Sequence, residues 1–94
     1  MSAYIVVESN PRDLDKLKQY SGLAAPTVAK FGGEFLSKGQ VQVLSGSKAF
    51  SNKAIIKFKD QDTARHWYKS DDYQVLIALR DEAMDCQFHL ISDR

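Results

Sequence analysis

Stretches in which apolar and polar residues alternate occur at four places along the chain. Alternation puts the apolar side chains on one face of an extended strand, and the β-branched and aromatic residues frequent here favour that conformation. The pattern predicts strands over residues 3–8, 34–38, 53–59 and 85–91. Residues 41–44 are predicted to continue the second strand after a bulge or kink at Gly39.

Helical spacing between the first two strands predicts a helix with an apolar stripe, in which the polar Ser21 fills one slot. The stripe consists of Leu14, Leu17, Ala24, Val28 and Phe31. Either Asn10, with Pro11 in the first helical position, or Asp13 would cap its start.

Proline and glycine punctuate the same helix. Pro26 lacks a backbone donor and its ring clashes with the preceding turn, so we expect a kink or a break into two helices around residues 21–25. Gly32 and Gly33 follow the stripe and end the helix, because glycine tolerates the left-handed conformation found just past helix ends.

A second helical region lies between the third and fourth strands. Asp60 is the candidate cap, and Ala64, Trp67 and Tyr68 form an apolar stripe. Ser70 is predicted to restart a helix whose single face carries Tyr73, Leu76, Ile77, Arg80 and Met84.

The predicted order is β-α-β-β-α-β. This is the ferredoxin-like plan of the α+β class, a four-stranded antiparallel sheet with helices on one face. With 94 residues, the chain is predicted to form a single domain over residues 1–94.

The face of the sheet without helices is mixed in character. It combines Tyr4, Val6, Leu36, Ile55 and Ile91 with Glu8, Glu34, Lys38, Lys57 and His89. A solvated face does not need so many large apolar groups, and a dry interface does not tolerate so many ionisable ones. We therefore expect two sheets to pack face to face in a homodimer around a cavity.

Composition narrows the function classes. A net charge of +1 without basic clusters argues against a nucleic-acid or anionic-membrane surface, and the third strand lacks the aromatic run of an RNA-recognition motif. No apolar stretch approaches the roughly 20 residues of a membrane span, and no signal peptide is predicted.

The single cysteine, Cys86, excludes an intrachain disulfide and favours a cytoplasmic location. A domain of this length buries only roughly 60–65% of its unfolded surface, so oligomerisation is an expected source of stability.

The segments APTVAKFGGEFLSKG, VQVLSG and ARHWYKSDDYQVLIALR resemble the Domain of Unknown Function 1330 family, in the dimeric α/β-barrel group of ferredoxin-like proteins. The resemblance spans nearly the whole chain. It implies a homodimer with a barrel-like interface and a cleft between sheet and helices, and it implies no activity. Glu34 stands where the family usually has a basic residue, and Gln40 where a glycine is frequent. The family's usual helix start corresponds to Asp13.

Lys38 and Glu34 are the first candidates for binding a ligand. At four positions apart on a regular strand they would share a face, roughly 13 Å apart along the backbone. They would then form two poles of a polar pocket, with Lys38 binding a carboxylate. The alternative interpretation is that they are strand-edge charges that discourage aggregation.

The second helical region supplies further candidates. Trp67 belongs to the core or to a ligand-binding wall, the core being the commoner use of such residues. Tyr73 and Arg80 lie two helical turns apart on one face, so Arg80 is expected to pair with a carboxylate, either of the protein or of a ligand.

Titratable residues complete the list. Of the two histidines, His89 on the mixed face is the better candidate for a general base, and a structural or solvated role is its alternative. His66 is expected at the surface and Cys86 in the core. No metal-ligand spacing and no nucleotide-binding loop is present, so we expect neither metal nor cofactor.

Three function classes remain open. The first is a homodimeric domain that binds a small organic molecule, with acidic molecules among the options, in a cavity. The second is a cofactor-independent enzyme resembling monooxygenases, decarboxylases or isomerases of related folds. The third is a structural or interaction module. The sequence leaves the presence of enzymatic activity undecided.

Overall fold

The computed structural model describes residues 1–93, which form four strands and four helices. The elements are β1 (Ala3–Pro11), α1 (Leu14–Lys30), β2 (Glu34–Gln40), β3 (Asn52–Phe58), α2 (Gln61–Lys69), α3 (Asp71–Gln74), α4 (Ile77–Ala83) and β4 (Met84–Ser92). The strands make one antiparallel sheet in the order β2-β3-β1-β4. The predicted β-α-β-β-α-β architecture is confirmed.

One face of the sheet is buried beneath the helices. Ile5 and Val7 of β1 lie beside Ile56 and Phe58 of β3 in the core, as the alternation predicts. The largest fully buried side chains are Trp67, Tyr73, Phe58 and Val28, which come from the sheet and from three of the helices.

Helix α1 is capped by Asp13 and runs unbroken through Pro26. The Asp13 carboxylate accepts a hydrogen bond from the amide of Lys16 at 3.0 Å, so the resemblance identified the correct cap. The predicted break near residues 21–25 is wrong. Pro26 deprives the Gly22 carbonyl of its helical donor, but both residues are exposed, so water can satisfy that carbonyl.

The two glycines after α1 serve different purposes. Gly32 has φ +74°, the left-handed conformation that ends the helix, and its amide donates to the carbonyl of Ala29. Position 33 has no room for a side chain, because a Cβ there would lie 2.7 Å from both the Phe58 ring and the Val28 side chain. The chain can therefore turn tightly from α1 into β2.

The second helical region is divided into three short helices. Asp60 and Ser70 cap α2 and α3 with their side chains, as predicted. The single helix expected after Ser70 is interrupted at residues 75–76, and Met84 already belongs to β4.

A bulge in β2 changes the faces of that strand. Glu34 pairs with Lys57 and Phe35 with Ile56, but Ser37 pairs with Ile55 and Leu36 has no partner of its own. The bulge thus lies at Leu36 rather than at Gly39. Strand β2 ends at Gln40, and the predicted continuation over residues 41–44 is irregular chain.

No helix within residues 1–93 has both the length and the apolar character needed to cross a bilayer.

Gly33→Ala should destabilise the fold by about 1–3 kcal/mol, because its methyl group would displace two buried side chains. Gly22→Ala is the matched control. It lies in α1, where an added Cβ would have no neighbouring atom within 4 Å, and should stabilise the protein by about 0.5–1 kcal/mol. Urea unfolding measures the free energy of unfolding of both variants. Equal changes in Gly33→Ala and Gly22→Ala would contradict the close approach of Phe58 and Val28 to Gly33.

Candidate functional site

A cavity of about 480 Å³ opens between the sheet and helix α1, and we call it the sheet–helix cavity. Its walls are mostly apolar and include Val7, Ile56 and Phe88 from the sheet and Leu17 and Val28 from α1. Polar side chains, among them Lys38, Ser9, Gln40 and Asn52, also border it. The space suits a small organic molecule with a large apolar surface.

The bulge at Leu36 brings Lys38 to this cavity. Beyond the bulge Lys38 pairs with Ala54, on the face that the helices cover, and its ammonium lies 5.2 Å from the centre of the Phe35 ring. Within residues 1–93, no carboxylate lies within ion-pair distance of Lys38. Lys53, which also borders the cavity, is held by Glu8 at 3.5 Å.

Glu34 lies on the opposite side of the sheet. It precedes the bulge and pairs with Lys57 on the face without helices, and it does not line the sheet–helix cavity. The prediction that Glu34 and Lys38 share a face is therefore wrong, because the extra residue reverses the alternation between them.

A second cavity of about 350 Å³ lies between β4 and helices α2 and α4, and we call it the β4-edge cavity. Arg65, Lys69 and Arg80 border it, together with the Tyr68 ring and His89. Phe88 borders both cavities and forms part of the wall between them.

Arg80 is held firmly at that second cavity, with its side chain 11% exposed. Its Nη1 donates to the hydroxyls of Tyr68 at 3.0 Å and Tyr73 at 3.2 Å, and its Nε donates to Asp81 at 3.1 Å. Burial alone would lower the pKa of the guanidinium, but the hydrogen bonds to the two tyrosines outweigh it and the pKa is raised. Arg80 is therefore a permanent cation in a largely enclosed position.

Tyr73 connects Arg80 to the other cavity. Its hydroxyl lies 2.8 Å from the hydroxyl of Tyr20, which borders the sheet–helix cavity, while Tyr73 itself is fully buried and borders neither cavity. Burial raises the pKa of both phenols, so they stay neutral and act as hydrogen-bonding groups.

Trp67 is both a core residue and a cavity wall. It is 1% exposed, its indole NH donates to the hydroxyl of Thr27 at 3.0 Å, and its ring centre lies 4.5 Å from that of Tyr73. It also borders the sheet–helix cavity. The two interpretations of Trp67 are therefore compatible.

The remaining titratable candidates stand apart from the sheet–helix cavity. His89 is exposed on the edge strand β4 and borders only the β4-edge cavity, and His66 lies on the exposed side of α2. Cys86 is half-buried, and burial raises the pKa of its thiol. Across the described chain, no three His, Cys, Asp or Glu side chains come together as a metal site.

The sequence model of one protein family matches residues 2–93, and that family is described as a domain of unknown function, DUF1330. The chain belongs to the DUF1330 family. No curated protein shows significant sequence similarity to it.

Solved structures resemble the DUF1330 domain in fold. A protein of unknown function from Rhodopseudomonas palustris has a TM-score of 0.80 at 13% identity, with 99% of this chain and 82% of that chain covered. SnoaB, a cofactor-independent oxygenase from Streptomyces nogalater, has a TM-score of 0.72 at 14% identity, covering 99% and 93%. A dimeric ferredoxin-like protein of unknown function from Thermobifida fusca has a TM-score of 0.58 at 11% identity, covering 99% and 92%. At these identities the likeness concerns the fold alone.

Tyr20 and Phe88 border the candidate site of the DUF1330 domain, and sequence reasoning did not identify them as candidates. Tyr20 follows Leu17 by three positions and precedes Ala24 by four, so helical spacing places it on the buried stripe instead of Ser21. The alternation of β4 places Phe88 on the core face, but no sequence signal shows that it separates two cavities.

Tyr73→Phe should destabilise the DUF1330 domain by about 1–3 kcal/mol. It would leave the buried Tyr20 hydroxyl without its partner and remove an acceptor from Arg80. Tyr4→Phe removes only an exposed hydroxyl, 3.5 Å from Asp93, and should change stability by less than about 0.5 kcal/mol. Urea unfolding tests the pair, and losses of equal size would contradict a structural role for the buried hydroxyls.

Proposed function

We propose that this DUF1330 protein is a homodimeric domain that binds a small, largely apolar organic anion in the sheet–helix cavity. The observation that carries the proposal is the position of Lys38, an ammonium without a carboxylate partner among residues 1–93 at a mostly apolar cavity of about 480 Å³. Such a cavity with few polar groups is typical of small-molecule sites.

The lining of the cavity supports an anionic ligand. Of the residues that border it, only Lys38 and Lys53 are charged within residues 1–93, and the Lys53 ammonium pairs with Glu8 on the face without helices. Glu8 already neutralises Lys53, so Lys38 is the group proposed to meet the charged end of the ligand. Trp67 and Phe88 would contact its apolar part.

Lys38 and Trp67 are thus proposed to contact the ligand directly. Tyr73 would act indirectly, by holding the Tyr20 hydroxyl at the cavity wall. Glu34 lies on the opposite face of the sheet from that site and would instead face the second subunit. Arg80 and His89 border the β4-edge cavity.

The face without helices supports a homodimer. Tyr4, Val6 and Ile55 are half-buried there, and Leu36 and Ile91 remain about half exposed, at 48% and 53%. An apolar patch of this kind is typical of an interaction surface. The Thermobifida fusca protein of similar fold is dimeric, which supports a dimer here without indicating which surfaces meet.

Glu8 on that face is neutralised within the sheet, which reduces the penalty for covering it. Glu8 accepts a hydrogen bond from Gln87 at 2.7 Å and lies 3.5 Å from Lys53, while Glu34 lies opposite Lys57. The Gln87 hydrogen bond is the main cause that lowers the pKa of Glu8, and the charge of Lys53 adds to it against the opposing effect of burial. Glu8 therefore carries a stable charge that is already compensated.

A cofactor-independent oxygenase is the second candidate function, supported by the fold likeness to SnoaB and by the aromatic cavity wall. Chemistry of this kind needs a group that removes a proton from the substrate. Among the described residues of one subunit, the sheet–helix cavity offers no carboxylate or imidazole for that purpose. Tyr20 is unsuited because burial raises the pKa of its phenol. We therefore favour ligand binding over oxygenase activity as the function of this cavity.

Two fluorescent probes test the ligand site, namely anilinonaphthalene sulfonate, which carries an anionic group, and N-phenylnaphthylamine, which lacks it. Both should quench Trp67, the only tryptophan, by energy transfer. Lys38→Met should weaken binding of the sulfonate about fivefold and leave the neutral probe unchanged.

Lys18→Met is the matched control, because Lys18 is exposed on α1 and borders neither cavity. It should leave both affinities unchanged. Unaltered sulfonate binding in Lys38→Met, or an equal loss for the two probes, would contradict the proposed role of Lys38.

The dimer is tested by sedimentation equilibrium at micromolar concentration. The unmodified protein should have twice the mass of one chain, and Ile55→Glu should be a folded monomer because it places charges in the interface. Leu23→Glu, on the exposed side of α1, should remain dimeric. A monomeric unmodified protein would refute the homodimer.

A further inference from the structure

We propose that the β4-edge cavity is a second binding site, which takes a small molecule bearing a phosphate group. This site is distinct from the sheet–helix cavity. Its volume of about 350 Å³ exceeds what a phosphate group alone fills, so part of the molecule attached to the phosphate would also enter.

Arg80 supplies a fixed donor. Its Nε and Nη1 hold Asp81, Tyr68 and Tyr73, whereas its Nη2 makes no hydrogen bond within residues 1–93. Because every fully buried side-chain nitrogen or oxygen of the described chain has a partner, Nη2 is open to the cavity or to solvent. A guanidinium that the protein holds in place loses little freedom when it binds an oxyanion.

Tyr68 adds a second donor beside the first. Its hydroxyl oxygen accepts from Arg80, and its own proton has no acceptor among residues 1–93. The Tyr68 hydroxyl is therefore proposed to donate to the same anion as Nη2, since Tyr68 and Arg80 both border the cavity.

Positive charge surrounds these donors. Lys69 and Arg65 lie four positions apart on α2, where like charges repel each other. Arg65 is engaged by Gln61 and Asp62, but Lys69 has no ion-pair partner in the described chain. Among residues 1–93, no carboxylate side chain lines the cavity. A doubly charged phosphate would relieve this repulsion and pair with Lys69.

The position of Lys69 in the last turn of α2 also has a simpler explanation, because a cation there is favoured by the helix dipole. Arg80 also lies in the last turn of its helix, α4, but the dipole does not explain why its guanidinium is largely enclosed while Nη2 makes no hydrogen bond within residues 1–93. The convergence of Arg80, Tyr68 and Lys69 on one cavity therefore favours an anion site.

Titration with inorganic phosphate tests the site, with chloride at equal ionic strength and pH as the reference. Proton NMR should show saturable shifts of the backbone amide signals of Gln87 and His89, because this part of β4 borders the cavity. His66 is an internal control, since it is exposed on α2 and does not border the cavity, and its signals should not follow the same curve.

Variants identify the groups that hold the anion. Lys69→Gln should weaken phosphate binding about threefold, and Arg80→Lys, which cannot reproduce the fork of donors, about tenfold. Lys18→Gln, the matched surface control, should bind as the unmodified protein does. If Arg80→Lys fails to fold, Lys69→Gln and Arg65→Gln carry the test, because both residues are exposed.

The absence of saturable shifts at His89, shifts of equal size at His66, or equal affinities in Lys69→Gln and Lys18→Gln would overturn the proposal. The outcome is separate from that of the sheet–helix cavity, since binding of the naphthyl probes depends on Lys38 and is measured without phosphate.

Discussion

The packing of Trp67 against Tyr73 is the interaction on which the rest of the structure depends. The two rings meet 4.5 Å apart between the sheet and the helices, and Trp67 also packs against Phe58 with ring centres 5.6 Å apart. Aromatic pairs of this kind contribute about 0.5–1.5 kcal/mol each beyond the area they bury. Each polar atom of the pair has a partner, Thr27 for the indole and Tyr20 with Arg80 for the phenol. The cluster thereby ties α1, α2, α3 and α4 to one sheet, and leaves a cavity on either side of itself.

The same cluster explains why Arg80 is found in a largely enclosed position. A charged side chain there must be hydrogen-bonded, and Tyr68 and Tyr73 together with Asp81 satisfy three of its donors. Arg80 therefore contributes to structure and remains available to a ligand through Nη2. The structural and ligand-binding interpretations of this residue are compatible, as they are for Trp67.

The bulge at Leu36 decides the chemistry of the first cavity. Without it, Lys38 would lie on the same face as Glu34, and the sheet–helix cavity would lack the ammonium that has no carboxylate partner within residues 1–93. With it, Glu34 stays on the outer face opposite Lys57, while the exposed Lys38 lies on the helix side of the sheet beside Phe35. One inserted residue thus separates a charge of the proposed dimer face from a charge of the proposed ligand site.

The sequence by itself determined the order of the elements, most of the core and the caps Asp60 and Ser70, because alternation, helical spacing and capping are local properties of the chain. It also predicted that the double glycine ends α1. The need for glycine at position 33, however, arises from the close approach of the distant Phe58 side chain. Only the tertiary structure decided that α1 continues through Pro26, that Lys38 and Glu34 lie on opposite faces, and that Tyr20, Tyr73 and Arg80 join through their polar ends. Each of these depends on the register between strands or on which surface meets solvent. A single sequence does not specify such relations, because they arise between residues that are far apart along the chain.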